Sequence, residues 1–450
     1  MKKLLCVLMT AAMILGCFAC APAATTAPAA TEAPAAEATA APAAEATAEA
    51  PAAPEYSGEL RVTAQAWMMG KYDFEGMKAD FEAKHPGVTV VYNQVDNADV
   101  TTNMLQWSQG KTDCDIAIGG SREHAVQYAA MDYIIEFDDS FFTGDFAKEN
   151  FFNSFLELGN VEGHQYMIPF TGECMFIVVN KDLAKQAGIA DADGNVPAVA
   201  TWDELIEYAK KGAAIGKTGL SIDWGTNFMT YSYLSSLQGL RGTIFADDGK
   251  SIDFSSAEAQ QVLTSWKKLV DEGCTPTDTF ADMDAGRTNF KAGNVMMLMT
   301  AASRWIECQA QVGQGNTTVI PIPGTDTNGS LAYIHGAVIP KASKQIDLAK
   351  LFIQEEMLSD HVQQTALNTY GKMSPLLKHY EGLENPDWPT VVAATKKAAT
   401  PPLYKDYAEL DTGIICPVMQ KYLIGDATLE QTVQTLTDSI AGLDLSTGLK

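Results

Sequence analysis

Hydrophobic residues are most concentrated in the stretch Tyr166–Leu183, and the predicted fold is organised around it. A short apolar segment ends at Pro169, a polar break carries Glu173, and the apolar run Cys174–Val179 follows. A run of this length, rich in β-branched and aromatic residues, is typical of a buried strand. The pattern therefore predicts two strands that meet at a polar break, where the chain passes from one domain to another.

On the N-terminal side of this stretch, strand-like and helix-like patterns alternate. The predicted elements are strand Glu59–Trp67, helix Tyr72–His85, strand Val88–Tyr92, helix Asp99–Gln109, strand Asp115–Ile118 and helix His124–Met131. Pro86 and Gly87 end the first of these helices. Strands that alternate with helices are typical of a parallel sheet with crossover helices, so the pattern predicts an α/β fold.

The C-terminal side contains longer helical patterns. Thr201 and Glu204 form a capping box, which predicts a helix that continues through Lys211. The further predicted elements are helices Phe228–Leu237 and Ala257–Glu272, strands Val295–Met299 and Ala332–Pro340, helix Ile346–Met357 and a last helical section, Pro389–Leu443.

Short motifs along the chain occur in a recognisable order. Gly163-x-x-Tyr166-x-x-Pro169 is followed by Val179–Leu183, then by Thr201–Leu205, and later by Phe290–Gly293. This order resembles that in the extracellular solute-binding proteins of family 1, which are the sugar-type receptors of ABC importers. The resemblance implies a two-lobed, periplasmic-binding-protein-like (type II) α/β fold with a hinge and an interlobe cleft.

The resemblance also implies a division into lobes. The expected N-terminal lobe consists of residues 58–170 and 326–377, and the expected C-terminal lobe of residues 171–325 and 378–450. A length of 450 residues agrees with this division because it exceeds that of one typical domain.

The chain is strongly acidic. It has 31 Lys and Arg against 56 Asp and Glu, a formal net charge of −25. Proteins that bind nucleic acid do so through basic patches, so this charge argues against a nucleic-acid partner.

The first residues have the pattern of a secretory signal. A basic start, Met1-Lys2-Lys3, precedes the apolar run Leu4–Leu15, which is too short to span a bilayer as a mature helix. Gly16 before Cys17 resembles a bacterial lipobox, so residues 1–17 are expected to be a lipoprotein signal peptide and Cys17 the lipidated residue, with Cys20 or an ordinary signal peptide as alternatives. Residues 18–57, mostly Ala, Pro, Thr and Glu, predict a disordered tether that holds the protein at the outer face of the cell membrane.

Candidate ligand-binding residues follow from the predicted strand ends. Glu173 matches a glutamate that binds sugar hydroxyls in the maltose receptor; the alternative is that Glu173 only bridges the hinge. Ligands gather at the carboxyl ends of strands in open parallel sheets. The candidates at such ends are Trp67, Ser121, Arg122 and Tyr333. Trp67 offers a flat face for a pyranose ring, with a core aromatic as the alternative.

Three further candidates come from the resemblance. Trp224 and Trp305 lie where family members place aromatic platforms for sugars, and Asp411 lies in a segment that approaches the cleft in relatives.

Signals of catalysis are weak in this sequence. The six histidines form no H-x-x-x-H pair, and no P-loop, G-x-G-x-x-G or G-x-S-x-G motif occurs, so no cofactor, metal or catalytic residue is predicted. The favoured hypothesis is a monomeric receptor that captures an extracellular carbohydrate and delivers it to an ABC permease in the membrane. The alternatives are an extracellular carbohydrate-active enzyme, a receptor for a non-sugar solute, and a surface adhesion or scaffold protein.

Overall fold

The computed structural model describes residues 56–96, 105–324 and 329–449. The predicted signal peptide, Cys17 and almost all of the predicted tether lie outside these residues, as does the first part of the predicted helix Asp99–Gln109. The described residues belong to one compact unit.

Strands are found at each position predicted from the sequence, with several additions. Their bounds are β1 Gly58–Gln65, β2 Val88–Val95, β3 Ile116–Gly120, β4 Asn160–Val161, β5 His164–Gln165, β6 Ile168–Asn180, β7 Thr218–Ile222, β8 Val295–Ala301, β9 Thr317–Ile320 and β10 Ala332–Val338.

Helices lie between these strands along the chain and continue after the last of them. Their bounds are α1 Ala66–Met69, α2 Phe74–Lys84, α3 Arg122–Ala130, α4 Asn153–Leu156, α5 Lys181–Gln186, α6 Trp202–Ala214, α7 Phe228–Arg241, α8 Ala257–Asp271, α9 Ala285–Lys291, α10 Ala302–Val312, α11 Ile346–Phe352, α12 Asp360–Tyr370, α13 Trp388–Lys397, α14 Cys416–Ile424 and α15 Leu429–Ala441. Two π-helical segments, Ile353–Met357 and Glu409–Ile415, follow α11 and precede α14. Across the described residues, each helix is too short or too polar to cross a membrane.

The large sheet has the strand order β2-β1-β3-β10-β6-β8-β7, with β9 also paired to β6. The first three strands are parallel, as the alternating pattern predicted. Strand β10 runs antiparallel to β3 and to β6, and β8 runs antiparallel to β6. The β10 strand therefore returns the chain from the C-terminal half to the N-terminal half of the sheet.

The stretch Tyr166–Leu183 contains one strand where the sequence predicted two. Strand β6 has 13 residues, all of them buried. The polar residues of the predicted break stay in the ladder because they have partners there: Glu173 pairs with Tyr333 of β10, and its carboxylate is satisfied by an ion pair and a backbone N–H. A buried polar group costs little when it is hydrogen-bonded in this way, so the strand continues.

Strand β6 changes partners along its length. Its first part, Ile168–Cys174, pairs with β10, and its second part, Met175–Asn180, pairs with β8 and β9. Its side chains enter all three large apolar clusters of the molecule. One cluster surrounds β1–β3 and α2, and another surrounds β7, α6 and α8. The third includes Phe176, on the opposite face of β6 from Met175 and Ile177, together with residues of β8, β10 and α10.

The capping box predicted at Thr201 is present. Thr201 Oγ1 accepts a hydrogen bond from Glu204 N at 3.2 Å, and Glu204 Oε2 accepts one from Thr201 N at 3.1 Å. The helix that follows, α6, buries Trp202 and Leu205 on one face, as expected of an amphipathic helix.

Candidate ligand-binding site

A cavity of about 540 Å³ lies where the ends of β1 and β3 approach the start of α10. Strands β6 and β10 form its floor, and α7 and the segment before α9 form its far wall. Its lining side chains are Trp67, Ser121, Glu123, Glu173, Asn227, Phe228, Tyr231, Met283, Asp284, Arg287, Ser303, Arg304, Tyr333, Ile334, His335 and Lys372. Pockets of this size and at this place in an α/β sheet commonly bind small molecules.

The carboxylate of Glu173 is fixed in the floor of the cavity. Its side chain is 2% exposed, and Oε1 lies 3.0 Å from Lys372 Nζ. Oε2 accepts a hydrogen bond from Ser303 N at 3.0 Å. Ser303 belongs to the first turn of α10, whose unpaired N–H groups and dipole favour an anion. Both oxygens of this buried carboxylate therefore have partners.

Trp67 lies next to this ion pair. Its indole Nε1 donates to Gln65 Oε1 at 2.7 Å, which fixes the ring. Lys372 Nζ lies 4.7 Å from the ring centroid, and the His335 ring meets the indole edge-on at 5.0 Å. Burial lowers the pKa of His335 to about 4, helped by the nearby Lys372 charge, so this imidazole is neutral at physiological pH.

Two further aromatic groups face the cavity from α7 and β10. The rings of Tyr231 and Tyr333 stack at 4.6 Å with an angle of 17° between their planes. Burial raises the pKa of both phenols well above the usual value, so each keeps its proton and can donate a hydrogen bond. Phe228, one turn before Tyr231, lies under the guanidinium of Arg304 at 4.2 Å.

Arg304 is held by acidic groups on both sides. Nη1 lies 2.9 Å from Asp223 Oδ2, and Nη2 lies 3.3 Å from Asp284 Oδ1. Arg287 shares Asp284, with Nη2 at 2.7 Å from its Oδ2, and also pairs with Glu307 at 2.6 Å. The two guanidinium groups in this wall are therefore neutralised within the protein.

Ser121 and Glu123 form the edge of the cavity at the start of α3. Ser121 Oγ donates to Glu123 Oε1 at 2.5 Å and lies 2.8 Å from His124 Nδ1. The same His124 nitrogen accepts a hydrogen bond from Ser121 N at 3.1 Å, so the His124 side chain caps the start of α3. This local network keeps two oxygen-bearing side chains at the cavity edge.

Residues 66–364 match the family of bacterial extracellular solute-binding proteins. The chain belongs to this family. Binding proteins of Brucella abortus (strain 2308) and Brucella suis biovar 1 (strain 1330) are 26% identical to this solute-binding protein over 388 residues, which is 84% of this chain and 91% of theirs.

Solved structures of two-lobed sugar receptors share the fold of this solute-binding protein. The GacH receptor of Streptomyces glaucescens, studied without ligand and with acarbose, superposes with a TM-score of 0.71 at 20% identity, over 86% of this chain and 98% of that one. MalE3 of T. maritima with bound maltose gives 0.70 at 17% identity, over 86% and 100% of the two chains. The sugar-binding protein MalE of Xanthomonas citri gives 0.73 at 16% identity, over 86% and 97%. These likenesses establish the two-lobed α/β fold that the sequence predicted.

Four of the eight residues singled out from the sequence line the cavity of the solute-binding protein: Glu173, Trp67, Ser121 and Tyr333. They come from β6, α1, the start of α3 and β10, so elements far apart in sequence bring them together.

The two other tryptophans lie in the core and away from the cavity. Trp305 is fully buried, with its ring 5.7 Å from Phe176 and 5.1 Å from Trp388. Trp224 is fully buried too, 5.4 Å from Trp266. The expectation that Trp224 and Trp305 form platforms for a sugar is corrected, because neither ring is among the side chains that line the cavity.

Arg122 and Asp411 also lie outside the cavity lining. Arg122 donates from Nη1 to the carbonyl of Glu157 at 2.6 Å, and burial lowers its pKa to about 10. Asp411 lies in the π-helical segment behind α7, where burial raises its pKa to about 7. Neither side chain is among those that line the cavity, so the expectation that they contact the solute is corrected.

Sequence reasoning did not select several lining residues. Arg304 directly precedes Trp305 and His335 lies two residues after Tyr333, but Lys372, Arg287 and Tyr231 are not close in sequence to any selected residue. One local pattern drew attention to the position of Lys372: it directly follows Gly371, and a glycine is typical of the end of a helix. Its partner Glu173 lies 199 positions earlier in the chain, a separation that no local pattern reveals.

Proposed function

We propose that this protein is the solute receptor of an ABC importer, that it binds an uncharged carbohydrate in the cavity, and that it delivers this solute to a membrane permease. The observation that carries the proposal is that each lysine and arginine in the cavity lining is paired with a carboxylate of the protein. The lining contains three acidic side chains, Glu123, Glu173 and Asp284, and three basic ones, Arg287, Arg304 and Lys372.

Each basic group has a carboxylate partner within the protein. Lys372 pairs with Glu173, Arg287 with Asp284 and Glu307, and Arg304 with Asp223 and Asp284. An anionic solute would have to break one of these pairs to gain a counter-charge, and breaking a buried pair such as Lys372 with Glu173 costs about 3–5 kcal/mol. An uncharged solute with many hydroxyls binds to the oxygens and nitrogens of the same groups without breaking any pair.

The polar and aromatic content of the lining supports a carbohydrate as this solute. Asn227, Ser121 and the phenol of Tyr333 add neutral donors and acceptors to the charged groups. Aromatic side chains provide apolar contact for the C–H faces of sugar rings. Structures with the same fold hold carbohydrates: cycloalternan in a Listeria monocytogenes substrate-binding protein and α-D-tagatose in one from Thermotoga lettingae.

The proposal includes the cellular setting and the absence of catalysis. The protein acts as a monomer at the outer face of the cell membrane, anchored through a lipid on Cys17, and releases its solute unchanged. The permease recognises the protein after the lobes have closed over the solute.

Thermal-shift screening against uncharged mono- and oligosaccharides, sugar acids and amino sugars tests the proposal. An uncharged sugar is expected to raise the melting temperature, and calorimetry then gives its Kd. The sugar recovered after incubation should be unchanged by chromatography. A panel in which no uncharged sugar raises the melting temperature contradicts the proposed ligand class, and a reaction product contradicts the receptor function.

Trp67→Ala tests whether the cavity is the binding site. Loss of the indole is expected to raise the Kd of the identified sugar about tenfold or more, since aromatic contacts contribute about 0.5–1.5 kcal/mol beyond their buried area. Tyr208→Ala is the control, because Tyr208 is a partly buried aromatic residue of α6 outside the cavity. An unchanged Kd in Trp67→Ala would place the binding site elsewhere.

A further inference from the structure

The ammonium group of Lys372 lies between an aromatic face and a buried carboxylate. Its Nζ is 3.0 Å from Glu173 Oε1 and 4.7 Å from the centroid of the Trp67 ring. An aromatic face combined with a carboxylate is the arrangement by which proteins bind organic ammonium ions. Here the cation comes from the protein itself.

The backbone on both sides fixes Lys372 in this position. Gly371 ends α12 with φ of +64°, and a Cβ there would lie 2.6 Å from the carbonyl oxygen of Ala302. On the other side, the carbonyl of Met373 accepts a hydrogen bond from Gly172 N at 2.8 Å. The chain therefore passes directly beside β6, next to Glu173, and the Lys372 side chain is only 14% exposed.

We propose that Trp67 and Glu173 form an ammonium-binding subsite of the cavity, and that Lys372 determines specificity by occupying it. This inference rests on the proposed function, since it assumes that the cavity is the solute site. A positively charged solute finds Glu173 already paired on both oxygens and meets the charge of Lys372. A hydroxyl group of an uncharged sugar can share the same oxygens without replacing the lysine.

Lys372→Ala tests the inference with methylammonium chloride as the probe. The variant removes the ammonium group and most of the side chain and leaves Glu173 without its cation, so its melting temperature is expected to fall. Methylammonium should then enter the vacated subsite. At about 0.1 M, tenfold above a Kd of about 10 mM, it is expected to raise the melting temperature of the variant by about 1–2 °C relative to the same concentration of sodium chloride. The wild-type protein should respond equally to both salts.

Two control variants identify the source of any response. Glu173→Gln/Lys372→Ala lacks the carboxylate and should lose the preference for methylammonium. Lys71→Ala removes an exposed lysine whose Nζ lies 4.4 Å from the centroid of the nearby Tyr370 ring, and it should create no preference. Equal responses of Lys372→Ala to both salts, or a preference that persists in the double variant, would overturn the inference.

Refolding yield replaces melting temperature if Lys372→Ala does not fold alone. A higher yield with methylammonium than with sodium supports the subsite, and equal yields count against it. This experiment needs no sugar, so its outcome is distinct from that of the sugar panel. A protein that binds no uncharged sugar would refute the proposed function, whereas the salt comparison would still decide whether Trp67 and Glu173 bind an ammonium ion.

Discussion

Trp305 shows how the position of one residue on a helix decides whether its ring meets the cavity or the core. Helix α10 begins at Ala302, directly after β8, and its first turn places Ser303 and Arg304 at the cavity. The next residue, Trp305, turns away from the cavity and packs between Phe176 and Trp388. A sequence shows that the three residues are adjacent, but the direction of each depends on how the helix packs.

Trp305→Ala is therefore expected to affect stability. Removing a fully buried aromatic ring leaves a cavity and costs about 3–5 kcal/mol in the free energy of unfolding. Trp305→Phe is the matched control: it keeps a ring and removes the buried indole N–H, which has no partner among the described residues, so its cost should be about 1–2 kcal/mol. Urea unfolding measures both. An alanine variant with wild-type stability but weakened sugar binding would contradict the core position.

Asp411 gives a pH-dependent prediction at the same scale. Burial raises its pKa from 3.8 to about 7, and within the described residues its Oδ1 has no hydrogen-bond partner. The folded protein therefore holds a proton that the unfolded chain loses between these two pH values, so stability falls as pH rises through this window. Asp411→Asn removes this loss and should be about 2–4 kcal/mol more stable than wild type at pH 8, but equally stable near pH 4. Urea unfolding at both pH values checks this, and a constant difference would refute it.

Among the elements, strands and helices with strong periodicity could be predicted closely from the sequence. Helix α8 differs from its predicted bounds by one residue at its end. Helix α7 continues to Arg241, beyond the predicted end at Leu237, and contains Gly239. A Cβ at Gly239 would lie 2.5 Å from the carbonyl oxygen of Pro323, so this glycine serves close packing and does not end the helix. Such a contact is invisible in a local pattern.

The residues of the candidate site also differ in whether the sequence could predict them. Trp67 and Ser121 follow the carboxyl ends of β1 and β3, so the rule that ligands bind at such ends could find them. Tyr333 lies near the amino end of β10 and reaches the same edge because β10 runs antiparallel to β3, which the rule did not predict. Tyr231 lies in the middle of a helix and Lys372 follows one, and both reach the cavity only through tertiary packing. Periodicity predicts which face of an element is apolar, but it does not predict which elements meet.

Gly371 tests the link between the end of α12 and the cavity. Gly371→Ala should cost about 2–4 kcal/mol, because it adds a steric contact with the Ala302 carbonyl to the strain of a positive φ. Gly382→Ala is the control: its φ is +73°, but an added Cβ would have no atom within 4 Å, so about 1–2 kcal/mol is expected. Urea unfolding gives the two costs. Because Lys372 should move with the backbone, Gly371→Ala should also gain part of the methylammonium response. Equal costs at both glycines would show that α12 and α10 separate easily.

At the scale of the whole molecule, β6 joins regions that the sequence divided at residues 170 and 171. Ile168 and Phe170 enter the apolar cluster around β1–β3, and Met175 and Ile177 enter the cluster around β7. Phe176, which lies between Met175 and Ile177 in sequence, belongs to the third cluster, and this cluster also includes residues of β10 and α12. Lobes linked in this way can move about a hinge while their cores share a buried strand.

This shared strand predicts that residues 56–449 unfold as one cooperative unit. If one lobe unfolded alone, β6 would lose the partners along half of its 13 buried residues, and the third cluster would be exposed to water. Exposing that apolar surface costs about 25 cal/mol per Å², so the half-unfolded state should be scarcely populated. Calorimetry should show one transition with equal calorimetric and van't Hoff enthalpies, and urea curves from tryptophan fluorescence and far-UV circular dichroism should coincide. Phe176→Ala should lower the midpoint of both curves together, since this ring belongs to the joining cluster. Two separate transitions, or a Phe176→Ala variant that shifts only one probe, would show that the lobes are stable independently.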